Sequence, residues 1–175
     1  MLQPHYTPTA PTADADQAAR QTWMALLARA PEDYLEAQVG AMAEGELQWL
    51  RPVETGLLMA QGRTAGTGQR FNLGEISVTR CVLRPDPART QCHQVGVAYV
   101  LGASHRHATL AAVADALLQE PALHAHWHAC LLRPLSEQLS AQAQHRKAQA
   151  QATRVEFFTV AREAGSDMPQ DEETP

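Results

Sequence analysis

Hydrophobic residues recur at helical spacing in two stretches near the N-terminus. The first begins at Asp16, whose side chain is suited to capping a helix, and ends before Pro31. Its apolar face is formed by Trp23, Leu26, Leu27 and Ala30. The second runs from Pro31 to Gly45 and has an apolar stripe of Leu35, Val39 and Met42. The pattern therefore predicts two consecutive amphipathic helices.

The middle of the chain changes to short apolar runs and strict alternation, which is typical of strands. Four strands are predicted: Glu46 to Val53, Gly56 to Gln61, Glu75 to Leu83, and His93 to Leu101. Two prolines between Arg84 and Arg89 mark a turn or loop. Because the links between these strands are short, they favour an antiparallel meander over parallel strands with crossover helices.

Helical periodicity returns from Ser104 and continues to Gln151. One helix is predicted from Ser104 to Pro121, a second from Pro121 to a break at Arg133-Pro134, and a third, polar helix from Leu135 to Gln151. For Arg154 to Val160 both helix and strand remain open, and a helix is favoured. The predicted fold class is α+β, with two N-terminal helices, a roughly four-stranded, mainly antiparallel sheet, and C-terminal helices. The predicted organisation is a disordered lead-in at 1–14, a single domain at 15–163 and a disordered acidic tail at 164–175.

Composition excludes several classes of function. A net charge of −5 and a pI near 5.9 argue against a general nucleic-acid binder. No apolar run has the length of a membrane span, and the N-terminus lacks the basic start and apolar middle of a secretory signal. Cys81, Cys92 and Cys130 form no CxxC pair, so the prediction is buried, reduced thiols in a cytoplasmic protein.

The stretch between the second and third predicted strands is rich in glycine and arginine. Gly62, Gly66 and Gly68 allow unusual backbone angles, and three arginines lie at or near this loop: Arg63, Arg70 and Arg80. The loop lacks the GK[ST] ending of a P-loop, although successive amide groups can also bind phosphate as a nest. A structural or interface turn is favoured. The arginines suit phosphate geometry, but pairing with Glu54, Glu75 or carboxylates of a partner is slightly favoured for them.

The histidines and serines offer no complete catalytic constellation. His124, His126 and His128 form HxHxH, but on a helix only His124 and His128 share a face, so a metal site is not predicted. No serine has the context of a nucleophile elbow. Glu54 and Glu75 flank the glycine loop and can approach each other in the sheet, where pairing with arginine is the simpler role.

Six short segments resemble the PhnG family of the bacterial carbon–phosphorus lyase system. They are RQTWM (Arg20 to Met24), ETGL (Glu54 to Leu57), GTGQRF (Gly66 to Phe71), GE (Gly74, Glu75), TR (Thr79, Arg80) and RVEFFTVAR (Arg154 to Arg162). They follow the family's order and span Arg20 to about Arg162. His107 also lies where the family has a histidine before its third helix. The triple histidine, the proline-rich lead and the acidic tail depart from the family pattern.

The resemblance implies a subunit of the C–P lyase core complex in organic phosphonate catabolism. In that family, a phosphonate such as methylphosphonate displaces the adenine of ATP, giving α-D-ribose 1-methylphosphonate 5-triphosphate. It implies direct contact with PhnI, and work with PhnH, PhnJ and the ATP-binding subunits PhnK and PhnL. The chain is expected to be inactive alone, to supply no catalytic residue and to bind no metal or cofactor by itself, since ATP is a substrate of the complex.

Two sets of residues are candidates for its contacts. The phosphate-binding or interface loop comprises Arg63, Gly66, Thr67, Gly68, Arg70 and Arg80. The candidate partner interface comprises His107, Arg154, Phe157 and Phe158. Rival hypotheses are a free-standing phosphate- or nucleotide-binding module and a histidine-dependent metalloenzyme.

Overall fold

A computed structural model of the chain describes residues 11–153. Within this range the chain forms six α-helices and three β-strands. In chain order they are α1 (Pro11–Leu27), α2 (Glu32–Ala43), β1 (Gln48–Arg63), β2 (Arg70–Arg84), α3 (Pro87–Thr90), β3 (Gly96–Leu101), α4 (His105–Gln119), α5 (Pro121–Trp127) and α6 (Arg133–Ala152). The α+β class, with helices before and after an antiparallel sheet, is confirmed. The chain divides into two compact units, of which the first extends to Ala141. The second starts at Gln142, and its described part is the end of α6.

The two N-terminal helices form as predicted, with one shifted boundary. The first, α1, begins at Pro11, so Asp16 lies inside the helix and does not cap it. Pro31 precedes α2, where its fixed φ near −58° starts the chain into the helix and its missing amide hydrogen costs nothing. Glu32 and Asp33 follow in the first turn, at the positive end of the helix dipole.

The sheet has three strands in the order β1-β2-β3, so the prediction of four strands was wrong. The predicted strands at 46–53 and 56–61 are one continuous strand, β1. Register shifts between Trp49 and Arg51 and between Arg51 and Glu54 absorb the irregularity around Pro52. An edge strand tolerates proline because the absent amide hydrogen can face away from the neighbouring strand. The second strand, β2, starts at Arg70, five residues before the predicted Glu75.

Helix α4 is the centre of the hydrophobic core. Every residue from Ala108 to Leu118 is buried, since the sheet covers one side and α1, α2 and α5 cover the others. The sheet's inner face against α4 consists of Thr79, Cys81 and Leu83 on β2 opposite Val100, Ala98 and Gly96 on β3. Ser104 caps α4 through its side chain, which accepts a hydrogen bond from the amide of His107, so the predicted start of this helix is confirmed.

The predicted break at Arg133-Pro134 was wrong. The helical backbone continues from α5 through one π turn, His128–Leu132, into α6. The π turn widens the hydrogen-bond ladder immediately before Pro134, where the proline ring would otherwise collide with the carbonyl four residues earlier. The helix predicted from Leu135 to Gln151 is confirmed as part of α6.

Candidate functional site

Most of the exposed large apolar side chains among the described residues lie on the β1–β2 hairpin. The two strands pair from Gln48 and Arg84 to Arg63 and Arg70, whereas β3 covers only the Val78–Leu83 part of β2. Beyond that point the hairpin is a two-stranded arm. The exposed large apolar residues of the arm are Leu57, Leu58, Met59, Phe71, Leu73 and Ile76. An exposed apolar surface of this kind marks an interaction site.

Apolar side chains lie on both faces of the arm. In the register, Leu58 is opposite Ile76, on the face that also carries Val78 and Arg80 and points away from the core. Leu57 and Met59 lie on the other face, since successive strand residues alternate. A shallow cavity of about 260 Å³ opens beside Gly56, where nothing lies within 4 Å of an added Cβ.

The tip of the arm holds two of the predicted arginines. Arg63 and Arg70 are opposite each other in the register, and neither is within 4 Å of a carboxylate among the described residues. Arg63 donates through Nη1 to the carbonyl of Gly68 at 3.3 Å. Two like charges side by side, without a carboxylate among the described residues, favour contact with an external anion or carboxylate.

The turn that joins the strands satisfies its own amides. The amides of Thr67 and Gly68 donate to the carbonyl of Thr64, and the amide of Thr64 donates to Gln69. Gly66 has φ +80°, and a Cβ on Gly68 would lie 2.7 Å from the Thr64 carbonyl oxygen, so both positions require glycine. With three amides used internally, this geometry favours a structural turn over a phosphate nest.

The third predicted arginine is not part of the tip. Arg80 donates through Nε to Glu54 Oε1 at 2.8 Å, on the outer face of the sheet, and this bond raises the pKa of Arg80. Arg80 lies ten positions along β2 from Arg70, a span of roughly 30 Å. Glu75 is opposite Met59, so Glu54 and Glu75 lie on opposite faces and do not approach each other.

His107 and His105 both have partners inside the chain. The His107 ring is half-buried and lies 3.0 Å from the carbonyl oxygen of Leu27, at the end of α1. His105 Nε2 lies 3.2 Å from the hydroxyl of Thr55 on β1, which in turn lies 2.9 Å from that of Thr79. These contacts join α4 to the end of α1 and to the base of the arm. The other three predicted interface residues, Arg154, Phe157 and Phe158, lie outside the described residues.

The HxHxH run lies on α5 and the start of the π turn. The rings of His124 and His128 are 5.9 Å apart, while the ring of His126 packs edge-on against Trp127. His124 Nδ1 is 2.7 Å from the carbonyl oxygen of Leu118. Among the residues whose side chains are described, no three His, Cys, Asp or Glu side chains are placed to hold one metal ion.

Two of the cysteines are buried core residues, as predicted, and Cys130 is half-buried. The Cys81 thiol donates to the carbonyl of Ala108, and that of Cys92 donates to the carbonyl of Ala116, so both join the sheet region to α4. Burial raises the pKa of all three thiols, and that of Cys81 to about 11. They therefore stay protonated at neutral pH and are poor nucleophiles.

The raised pKa of Cys81 predicts a loss of stability in alkali. The unfolded chain releases this proton near the ordinary value of 9.0, before the folded chain does. The contribution is thus fully present below pH 9 and is lost as pH rises towards 11. Raising the pH from 8 to 10.5 should lower the unfolding free energy of both proteins, measured by urea unfolding. We expect the decrease to be about 2 kcal/mol smaller for Cys81→Ala than for the parent chain, because the variant has no thiol to titrate. The half-buried Cys130→Ala is the control, and equal losses in the parent and Cys81→Ala would contradict the prediction.

Sequence reasoning missed the polar centre of the fold, Asp115. Its buried carboxylate accepts hydrogen bonds from Arg20 Nη2 at 2.7 Å, from Trp23 Nε1 at 2.9 Å and from the amide of Val97 at 2.9 Å. Gln119 adds another at 3.1 Å. The available signal was a lone carboxylate in the apolar run LAAVADALL. Arg20 and Trp23 therefore have a structural role, as hydrogen-bond donors to Asp115.

No helix among residues 11–153 is both long and apolar enough to cross a bilayer. The sequence model described as "Phosphonate metabolism protein PhnG" matches residues 18–163. A relative from Rhizobium meliloti (strain 1021), named "Alpha-D-ribose 1-methylphosphonate 5-triphosphate synthase subunit PhnG", is 37% identical over 150 residues. The alignment covers 85% of this chain and 92% of the relative. On these matches, which span most of its length, the chain belongs to the PhnG family of phosphonate metabolism.

Proposed function

We propose that this chain is a subunit of an α-D-ribose 1-methylphosphonate 5-triphosphate synthase and acts by binding its partner subunits. The family and the name of the 37% identical relative support this assignment. In the proposed reaction a phosphonate such as methylphosphonate takes the place of adenine on the ribose of ATP, and adenine is released. The chain is thus part of a transferase complex in phosphonate catabolism and is expected to be inactive alone.

The exposed arm is the observation that carries the proposal. Leu57 is 66% exposed and Leu58 is 58% exposed, on opposite faces of the same strand. Leaving such side chains in water is unfavourable, and burial against a partner recovers about 25 cal/mol per Å² of apolar surface. The placement of two carboxylates also supports an accessory role. Glu54 is paired with Arg80 and lies on the opposite face of the sheet from Glu75, so the two cannot act together as acid and base.

The proposed partners are those that the family implies. PhnI is the proposed direct contact, with PhnH, PhnJ and the PhnK and PhnL subunits in the same system. The arm and the segment 154–162 are the proposed contact surfaces, with Phe157 and Phe158 as aromatic anchors. ATP enters as a substrate of the complex, and this chain by itself holds no cofactor in the proposal. The proposed compartment is the cytoplasm, where ATP is available.

Reconstitution tests the function directly. The chain is co-expressed with PhnH, PhnI and PhnL, and adenine release from ATP and methylphosphonate is followed by chromatography. We expect adenine only when this chain and its partners are both present. Adenine release by this chain alone, or an equal rate from the partners without it, would overturn the proposal.

A double variant at the tip separates an interface role from phosphate binding. We expect Arg63→Gln with Arg70→Gln to weaken assembly about tenfold, because charges at the rim of an interface steer and orient the partner. The assembled complex should keep its KM for ATP. Arg133→Gln is the control, since its guanidinium forms only an exposed pair with Glu137. A raised KM with unchanged assembly would show instead that the tip binds the triphosphate.

A further inference from the structure

The outer edge of β1 is a regular strand edge that pairs with no other described strand. From Glu54 to Ala60 seven consecutive residues pair with β2 without a register shift, and the irregular positions around Pro52 precede this run. The sheet order leaves the other side of β1 unpaired within residues 11–153. A long strand edge exposes amide and carbonyl groups that can pair with another strand, and proteins usually protect it with proline, lysine or bulges. The run ETGLLMA contains no proline or lysine.

The side chains of this run are exposed on both faces of the sheet. Leu57 and Met59 lie on one face, at 66% and 47% exposure, and Leu58 lies on the other, at 58%. A partner that covers one face would leave the other in water. A partner that adds a strand to the edge can cover both faces, since its own side chains alternate in the same way.

We propose that the edge from Glu54 to Ala60 accepts a β-strand from a different polypeptide. The added strand extends the sheet through main-chain hydrogen bonds, as in other peptide-binding sheets. Its side chains opposite Leu57, Leu58 and Met59 are apolar, and those flanking them are acidic. The inference rests on the proposed function, because the strand belongs to a partner subunit of the synthase.

Charge distinguishes a different polypeptide from a second copy of this chain. If two β1 strands paired antiparallel around Leu57, the end of the strand that carries Arg51 would lie beside the end of the other copy that carries Arg63. If they paired parallel, each arginine would lie beside its own equivalent. Like charges directly opposite in a sheet are destabilising, so a strand with carboxylates at these positions fits better.

Hydrogen exchange tests the backbone pairing. The parent chain is compared alone and in the co-expressed complex, by mass spectrometry of peptides covering 54–60. We expect the amides of this run that do not donate to β2 to exchange at least tenfold more slowly in the complex. If these amides exchange equally fast in both, the inference is overturned. If they are already protected in the chain alone, the edge is occupied by this chain itself, which overturns it as well.

Aspartate substitutions test the two faces separately. Leu57→Asp and Leu58→Asp should each reduce the co-purified partner at least tenfold, and the melting temperature of the chain should change little because both side chains are exposed. Leu101→Asp is the matched control, because Leu101 is 69% exposed on β3 at the opposite edge of the sheet and should keep the partner. Loss by only one of the two variants would indicate one-faced docking and overturn the inference. If the parent complex forms and releases adenine, and both variants also bind the partner normally, only the strand addition is refuted. If the parent chain binds no partner, the proposed function is refuted.

Discussion

Asp115→Ala is expected to lower the unfolding free energy by about 3–5 kcal/mol. The side chain is fully buried and holds three elements together. Its oxygens accept from Arg20 and Trp23 on α1 and from the amide of Val97 on β3, while Asp115 itself belongs to α4. Alanine would leave a guanidinium, an indole N–H and a buried amide without their acceptor, and such groups are costly to leave unpaired. Urea unfolding of the purified chain measures the loss.

Two further variants control this result. Asp115→Asn keeps the shape of the side chain but replaces one acceptor oxygen with an NH₂ group, which would face N–H donors. The unfolding free energy is therefore expected to fall by more than about 1 kcal/mol. Glu137→Ala removes an exposed pair with Arg133 and should change stability by less than about 0.5 kcal/mol. If Asp115→Ala cost no more than Glu137→Ala, the network would not be a stabilising feature of this fold.

Gly96→Ala is expected to cost about 3 kcal/mol or more. A Cβ at this position would lie 1.8 Å from the carbonyl oxygen of Ala112 and 3.1 Å from the Cβ of Ala116. Both neighbours belong to α4, and the closer atom is backbone, so no side-chain rotation can relieve the contact. The helix would have to move away from the sheet and open its packing against Ala98 and Val100.

Gly56→Ala is the matched control for Gly96→Ala. Both glycines lie in strands, but nothing is within 4 Å of an added Cβ at Gly56. Its unfolding free energy should stay within about 1 kcal/mol of the parent value, since alanine only restricts the unfolded chain. Thermal melts of the two variants under identical conditions check the difference. Similar melting temperatures would mean that α4 does not approach the sheet as closely as the structure has it.

The segments that resemble the PhnG family differ in what the structure makes of them. Arg20 and Trp23 of RQTWM both bind Asp115, so their role is to fix α1 against α4. Glu54 of ETGL pairs with Arg80 of TR across the hairpin, while Leu57 of the same segment is exposed. Gly66 and Gly68 of GTGQRF shape the turn at the tip. The motifs thus combine stabilising contacts with an exposed apolar surface, and Glu54, the carboxylate of ETGL, is held by Arg80.

Local sequence was sufficient for the class of fold and for where three of the helices begin. Apolar spacing, Pro31, Pro121 and the cap at Ser104 act through nearby backbone, so α2, α4 and α5 begin where these signals predict. The strand boundaries failed at Pro52 and at Arg70 because pairing across the hairpin, and not the local pattern, extends β1 and β2. The apparent break at Arg133-Pro134 failed because a π turn accommodates the proline.

By itself, the sequence determined an α+β fold, buried thiols at Cys81 and Cys92, and a glycine turn that carries arginines. It also determined membership of the PhnG family. Only the tertiary structure decided which residues meet. It paired Arg63 with Arg70 but separated both from Arg80, and it brought Asp115 into contact with Arg20 and Trp23. It also left one edge of β1 without a neighbouring strand among residues 11–153. The physical reason is that the periodicity of apolar residues indicates only which face of its own helix or strand a residue lies on. Contacts between residues distant in the chain depend on the register of the strands and on how the helices pack over them.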